Sequence, residues 1–384
     1  MEKLLEYLKY SKELTINPFG LGQASCNNRC EFCIISDRLL KHNVSLEYFE
    51  QTTNNTKKWL NKYLDLLPED LTISFFFVAG ELFCMGKEYF DLYKQIAKEL
   101  FEIISKKYKK IRFIIQSNII TSDEMVISNL IDLTKTIKIL TSNVTFTTSF
   151  DMYSRFNENT LKIWKKNLFY IQNSIKDKIM VEMILLEPSL KHYLIKSDEL
   201  SQTLDLILTN SDKFEVSFED FILNDLNNIK LYPNTTDLIA FYKKINTKFP
   251  NHSVLDIYKR LNINKVPNNK PRSECILIQF SDKPFDDGII YTDEDLRIVN
   301  KNCMGGILSN LLKYPIEDVV SFIPEVNNGL YCLSNNKQVT QYFNKKCGFC
   351  KYQPFCSSKC FIQDIIKYKS QECQTKKLFE AFNE

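Results

Sequence analysis

Six short runs rich in Ile, Phe, Val and Thr recur through the first 225 residues, and stretches of helical periodicity separate them. The runs cover 14–20, 71–79, 111–118, 144–151, 179–187 and 214–223. The helical stretches cover about 44–65, 86–108, 122–137, 157–175 and 189–210. Such alternation predicts strands that lie parallel in one sheet, with helices packed outside it. The run LTISFFFVA (71–79) is apolar at most positions, as expected of a strand buried on both faces. Polar residues gather where three of the runs end, at Ala79-Gly80-Glu81-Leu82, Gln116-Ser117-Asn118 and Ser149-Phe150-Asp151. The carboxyl ends of parallel strands are where such folds carry their ligand groups. Gly80 permits close backbone approach to a ligand, and the Glu81 carboxylate can pair with an ammonium group. Glu182 and Glu219 fall on the last two runs, as site groups or as ordinary polar positions.

The cysteines divide the chain differently. There are 12 Cys but only 3 His, and His42, His192 and His252 are scattered, which argues against His-ligated zinc and Ser/His/Asp hydrolysis. The N-terminal MEKLLEYLKYSKEL alternates charge and leucine and lacks the apolar core and cleavage site of a secretory signal. No window approaches 18 uninterrupted apolar residues, so no membrane span is expected. The reading is a soluble, cytoplasmic chain whose thiols stay reduced, where Cys is metal-binding or catalytic more often than disulfide-bonded. Lys and Arg number 50 against 47 Asp and Glu, a near balance that gives no support to nucleic-acid backbone binding.

Cys26, Cys30 and Cys33 form C-x3-C-x2-C. A structural zinc takes four ligands, and no fourth follows nearby. A [4Fe–4S] cluster normally takes four Cys, so three thiolates leave one iron open to a substrate or cofactor. Three unrelated buried thiols, or a zinc site completed from far away, are the alternatives. Cys84 stands alone and reads as a buried thiol, and the other eight Cys all fall in 275–373.

With Phe32 just before the third Cys, the 26–33 pattern resembles the signature of the radical S-adenosylmethionine (SAM) family. That resemblance implies a partial (β/α)6, TIM-like barrel over 1–225, a radical SAM [4Fe–4S] cluster on Cys26, Cys30 and Cys33, and SAM on the open iron. It also implies cleavage of SAM to a 5′-deoxyadenosyl radical that removes a hydrogen atom from a substrate. Ala79-Gly80-Glu81-Leu82 resembles the family's Gly-Gly-Glu-Pro motif, which holds the SAM amino group, with Ala79 and Leu82 departing from it. Gln116-Ser117-Asn118 resembles its Gln-Thr-Asn-Gly element, and Ser149-Phe150-Asp151 its Ser-x-Asp. Ser149 would then reach the SAM carboxylate or ribose, and Asp151 the mouth of the site. Arg155 lies nearby but off the family's usual spacing.

The segments 224–236 and 261–273, rich in Asn and Pro, flank a helix-like stretch near 237–248, so 226–269 reads as a bridging region. Beyond it, Cys347-x2-Cys350-x5-Cys356-x3-Cys360-x12-Cys373 resembles the SPASM domain, a small Cys-rich C-terminal α+β extension of some radical SAM enzymes that carries auxiliary [4Fe–4S] clusters. The resemblance covers 270–384 and implies one or two such clusters. Cys347, Cys350, Cys356 and Cys373 would hold the distal one, and Cys360 would cross to the nearer one with Cys275, Cys303 and Cys332. The family's hairpin Cys is Asp293 here, so either Asp293 ligates, or Cys303 and Cys332 substitute, or the nearer cluster has an incomplete set. In sulfatase-maturing relatives an acid beside that hairpin takes a proton from the substrate, and Glu294 is the matching residue. A solvated acidic turn is the plainer reading of Glu294.

These resemblances imply a maturase that oxidises or cross-links a peptide or protein. Its electron donor would be of the flavodoxin or ferredoxin type. Only 25 residues precede Cys26, so leader binding would need a separate protein, or else the substrate is a folded protein or a small peptide. Modification of a small molecule (a sugar, cofactor precursor or nucleoside) is the alternative within the class. A zinc- or cluster-stabilised binding protein without catalysis is the alternative outside it.

Overall fold

The computed structural model describes residues 13–19, 26–33, 45–78, 80–220, 230–250, 351 and 373–383, and five short strands between 277 and 333. Six strands alternate with helices. They are β1 (Glu13–Asn17), β2 (Thr72–Phe77), β3 (Ile111–Gln116), β4 (Val144–Phe150), β5 (Ile179–Leu185) and β6 (Phe214–Asp220). All six are parallel, in the consecutive order β6-β5-β4-β3-β2-β1. The helices between them are α1 (Leu46–Tyr63), α2 (Glu88–Ile104), α3 (Glu124–Leu140), α4 (Glu158–Ile175), α5 (Glu187–Ile195) and α6 (Glu199–Thr209).

Strand order decides which face the helices cover. Parallel crossovers are right-handed, so a chain that adds each strand to the same edge lays every helix on the same face. Consecutive helices from α1 to α4 accordingly pack against one another. Side chains alternate across a strand, and burial follows. Ile73, Phe75 and Phe77 of β2, Ile111, Phe113 and Ile115 of β3, and Ile179, Val181, Met183 and Leu185 of β5 are at most 3% exposed beneath the helices. The intervening positions are mostly half-buried and mix polar residues, among them Arg112, Gln116, Ser149, Glu182 and Ser217, with Phe76, Ile114, Met180 and Ile184.

Local chemistry sets the helix starts. The Asp123 side chain accepts from Met125 N–H at 2.9 Å at the head of α3. Asn157 and Thr160 form a reciprocal capping box at the head of α4. The expected single helix over 189–210 is two: α5 ends at Ile195, and the Asp198 side chain starts α6 by accepting from Ser201 N–H at 3.2 Å. An aspartate that can satisfy a free N–H favours a new start over continuation.

Beyond β6, α7 (Thr235–Lys248) occupies the helix-like stretch expected near 237–248. The strand β7 (Leu277–Gln279) joins the sheet parallel to β1. The strands β8 (Ile290–Asp293) and β9 (Leu296–Val299) follow as an antiparallel hairpin, with Asp293 opposite Leu296 at its turn. A second small sheet pairs β10 (Ser321–Phe322) with β11 (Cys332–Leu333). The last helix, α8 (Gln374–Asn383), packs on α7, and Gln374 Nε2 donates to the Pro233 carbonyl at 3.0 Å. Among the described residues no helix is long and apolar enough to cross a membrane.

Candidate functional site

The loops after β1, β2, β3 and β4 meet at the carboxyl ends of the strands. Gly80, at φ 79°, takes the left-handed conformation that glycine adopts without a steric cost. That turn sends Glu81 inward, where it is 1% exposed. Ser117 Oγ donates to Glu81 Oε1 at 2.6 Å, and Asn118 N–H donates to Oε2 at 2.5 Å. Burial pushes the Glu81 carboxyl up to about 7, against the lowering effect of these hydrogen bonds. Glu81 thus ties the end of β2 to the end of β3, with both oxygens already accepting.

Asn118 carries the connection to the cysteine loop. Its Nδ2 donates to Asn27 Oδ1 at 2.8 Å and lies 3.8 Å from Cys26 Sγ. Asn27 Nδ2 donates to the Ile120 carbonyl at 2.8 Å. Ile119, between them, is buried at φ 50°. A β-branched residue there costs about 1–3 kcal/mol, and its neighbours hold it: Ser117 Oγ accepts from Ile119 N–H at 3.2 Å and Asn118 Oδ1 from Ile120 N–H at 2.8 Å.

Cys26, Cys30 and Cys33 are half-buried thiols on this loop. Cys33 N–H donates to the Cys30 carbonyl at 3.0 Å, and Asn28 N–H to Cys26 Sγ at 3.4 Å. Burial pushes Cys26 and Cys30 up to about 11, with Glu81 adding to the effect at Cys26. Cys84 also borders the loop: Asn27 N–H donates to it, and burial pushes it up to about 12.

Arg155 brings a cation to Cys26, Cys30 and Cys33. Arg155 Nε donates to Asp151 Oδ2 at 3.1 Å, and its guanidinium carbon lies 5.6 Å from the centre of the Phe32 ring. Burial opposes the charge, and the Cys30, Asp151, Cys26 and Cys33 groups around it support it. The Asp151 side chain is fully buried. Its Oδ1 accepts from Tyr153 and Ser154 N–H at 2.9 Å each, so it faces its own turn and Arg155 rather than an opening. Tyr153 Oη donates to Glu31 Oε2 at 2.8 Å, joining the β4 loop to the cysteine loop.

Deeper on the polar face, Gln116 Nε2 donates to Glu182 Oε2 at 2.9 Å and lies 3.4 Å from Ser149 Oγ. Burial, with the charge of Glu219, pushes the Glu182 carboxyl up to about 7.

Sequence-predicted Cys26, Cys30, Cys33, Phe32, Gly80, Glu81, Gln116, Asn118, Ser149 and Asp151 therefore gather at one end of the sheet. Arg155, off the expected spacing, lies among them. Asn27 was not anticipated, although the pair Asn27-Asn28 between two thiols offered short amides able to bond a neighbouring loop. Cys373 sits just before α8, where Lys376 N–H donates to its Sγ at 3.4 Å. Ala79, Cys275, Cys303, Cys347, Cys350, Cys356, Cys360 and Glu294 lie outside the described residues, and Asp293 and Cys332 are described only as backbone in β8 and β11.

Among the described residues no three His, Cys, Asp or Glu side chains converge on a single metal-ion position. A cubane spreads its Cys ligands over separate irons, so the ligands of a cluster need not meet at one point. Asn28 Nδ2 in the loop and Ser154 Oγ beside Arg155 are buried without a hydrogen-bond partner among the described residues. Three thiols, two unused polar groups and a guanidinium form a donor set that fits an iron–sulfur cluster bearing an anionic ligand. No protein-family model and no curated protein match the chain.

Proposed function

We propose that the chain is a radical SAM enzyme, with its six parallel strands curled as a partial barrel and a SPASM-like segment following it. The observation that carries this reading is the meeting of the Cys26–Cys33 loop with Arg155 over the ends of β2, β3 and β4. When bound, an iron–sulfur cluster with one open iron supplies the electron that cleaves SAM and so starts hydrogen abstraction from the substrate.

The chain's own residues have separate tasks. Cys26, Cys30 and Cys33 hold the cluster, and metal must displace the protons that burial keeps on Cys26 and Cys30. Asn118 Nδ2, beside Cys26 Sγ, offers the kind of hydrogen bond to sulfur that tunes a cluster's potential. Arg155 presents a guanidinium suited to bind the SAM carboxylate, steadied by Asp151 Oδ2 and the Phe32 face. Gly80 lets the backbone approach the SAM amino group, and Glu81 anchors the Asn118 turn rather than reaching outward. The substrate would meet the sheet on the face opposite the described helices, and a peptide or protein is the class the SPASM resemblance implies. A small flavodoxin- or ferredoxin-type donor would supply the electrons.

The test is anaerobic reconstitution with iron and sulfide, followed by SAM and a reductant. The expected result is 5′-deoxyadenosine from the wild type and none from a triple Cys26→Ala, Cys30→Ala, Cys33→Ala variant that keeps its helical circular dichroism. Nucleoside formation by the triple variant, or none by an iron-loaded wild type, overturns the reading.

A further inference from the structure

The turn after β3 holds two asparagine side chains in a single orientation. Asn118 Oδ1 accepts from Ile120 N–H at 2.8 Å, and Asn27 Nδ2 donates to the Ile120 carbonyl at 2.8 Å. A main-chain N–H only donates and a carbonyl only accepts, so these contacts fix which end of each amide is oxygen. The other ends face each other, and Asn118 Nδ2 donates to Asn27 Oδ1 at 2.8 Å. An amide nitrogen carries two hydrogens, and the second on Asn118 is left for Cys26 Sγ, 3.8 Å from that nitrogen. A buttress comes from α4, where Asn167 lies on the buried stripe with Trp164, Leu168 and Ile171. Asn167 Nδ2 donates to the Ile119 carbonyl at 2.9 Å and to the Thr121 carbonyl at 2.8 Å. The carbonyls on either side of Ile120 are thus taken by Asn167, and that of Ile120 itself by Asn27.

We propose that Asn27 and Asn167 are positioning residues that hold the Asn118 amide on Cys26 Sγ, and so raise the reduction potential of the cluster the loop carries. The proposal rests on the radical SAM reading and adds to it what sets the potential of that site. A reduced cluster is richer in electrons at sulfur, so a donor there stabilises it more than the oxidised form, and the potential rises. Cys26 Sγ also accepts from Asn28 N–H at 3.4 Å, so two N–H groups approach this sulfur. The main-chain donor is fixed by the loop itself. The Asn118 donor depends on a relay from α4 through the turn to the cysteine loop.

The test is a redox titration of the reconstituted full chain, followed by the electron paramagnetic resonance signal that the triple cysteine variant lacks. Asn118→Ala should lower the reduced-to-oxidised ratio at a fixed potential about tenfold, the scale of one hydrogen bond to a charged group, or about 59 mV. Asn27→Ala and Asn167→Ala should each lower it about threefold, since the amide stays but is no longer held. Because Asn27 acts through Asn118, the double variant Asn27→Ala, Asn118→Ala should match Asn118→Ala alone. A merely structural role predicts lost iron with an unmoved midpoint. That unmoved midpoint in iron-loaded Asn27→Ala, or additive shifts in the double variant, overturns the proposal. Metal-free protein gives a second readout for any variant that loads no iron. Main-chain hydrogen exchange over 118–121 should be about tenfold faster in Asn27→Ala and Asn167→Ala than in the wild type, and an unchanged rate overturns the proposal. Formation of 5′-deoxyadenosine is read separately. Lowered midpoints in variants of a chain that forms none would overturn the radical reading and leave the amide relay standing. Unmoved midpoints in variants of a chain that does cleave SAM would do the reverse.

Discussion

The two faces of the parallel sheet share the same strands and the same backbone hydrogen bonds, yet they carry opposite chemistry. On one face Phe113 is fully buried, with its ring 5.2 Å from Phe75 and 5.6 Å from Phe77. On the other, one residue away in the same strand, Arg112 Nη2 reaches Thr145 Oγ1 at 3.3 Å. The described helices lie on the first face, and the second admits Arg112 and Gln116 beside Phe76 and Ile114. Stability is concentrated on one side of each strand and reactive chemistry on the other.

This contrast can be broken in order of effect. Phe113→Ala should cost about 3–5 kcal/mol, by removing buried ring contacts and leaving a cavity; urea unfolding reads it, and a loss near zero would mean that the helices do not seal that face. Glu182 should impose a pH dependence. Its pKa lies near 7 in the folded chain against an ordinary 4.5, so the stability of the protonated form is complete below about 4.5 and is lost as pH rises through about 7. Glu182→Gln should therefore gain on the wild type between pH 5 and pH 8 in metal-free protein, and parallel unfolding midpoints at the two values would remove this carboxyl from the account. Asp198→Ala should cost about 1 kcal/mol by uncapping α6, visible as a lower thermal midpoint. Ser149→Ala, on the polar face, should change stability by no more than about 0.5 kcal/mol. A core-sized loss there would erase the distinction between the faces.

Much of this arrangement was legible in residue order. All six strands fall within two residues of the apolar runs at their starts, because β-branched and aromatic residues concentrate where both sheet pairing and helix packing are demanded. The gathering of Gln116, Asn118 and Asp151 follows from parallel topology, which brings every strand's carboxyl end to the same edge. The break between α5 and α6 was hidden because Lys196 and Ser197 interrupt no apolar period, and only the Asp198 cap ends it. The left-handed turn at Ile119 was hidden more deeply: a β-branched residue normally argues against that conformation, and the side chains of Ser117 and Asn118 impose it here. Arg155 could not be assigned from spacing alone, since its approach to the thiols depends on the tight turn that Asp151 Oδ1 builds by accepting from the N–H groups of Tyr153 and Ser154.

The docking of α8 on α7 has a topological consequence. The chain leaves α7 at Lys248 and comes back to it at Gln374, with β7 stitched beside β1 on the way. The intervening segment is an excursion fastened at both ends, so a single proteolytic nick within it should give two fragments that still travel together through gel filtration and part only in denaturant.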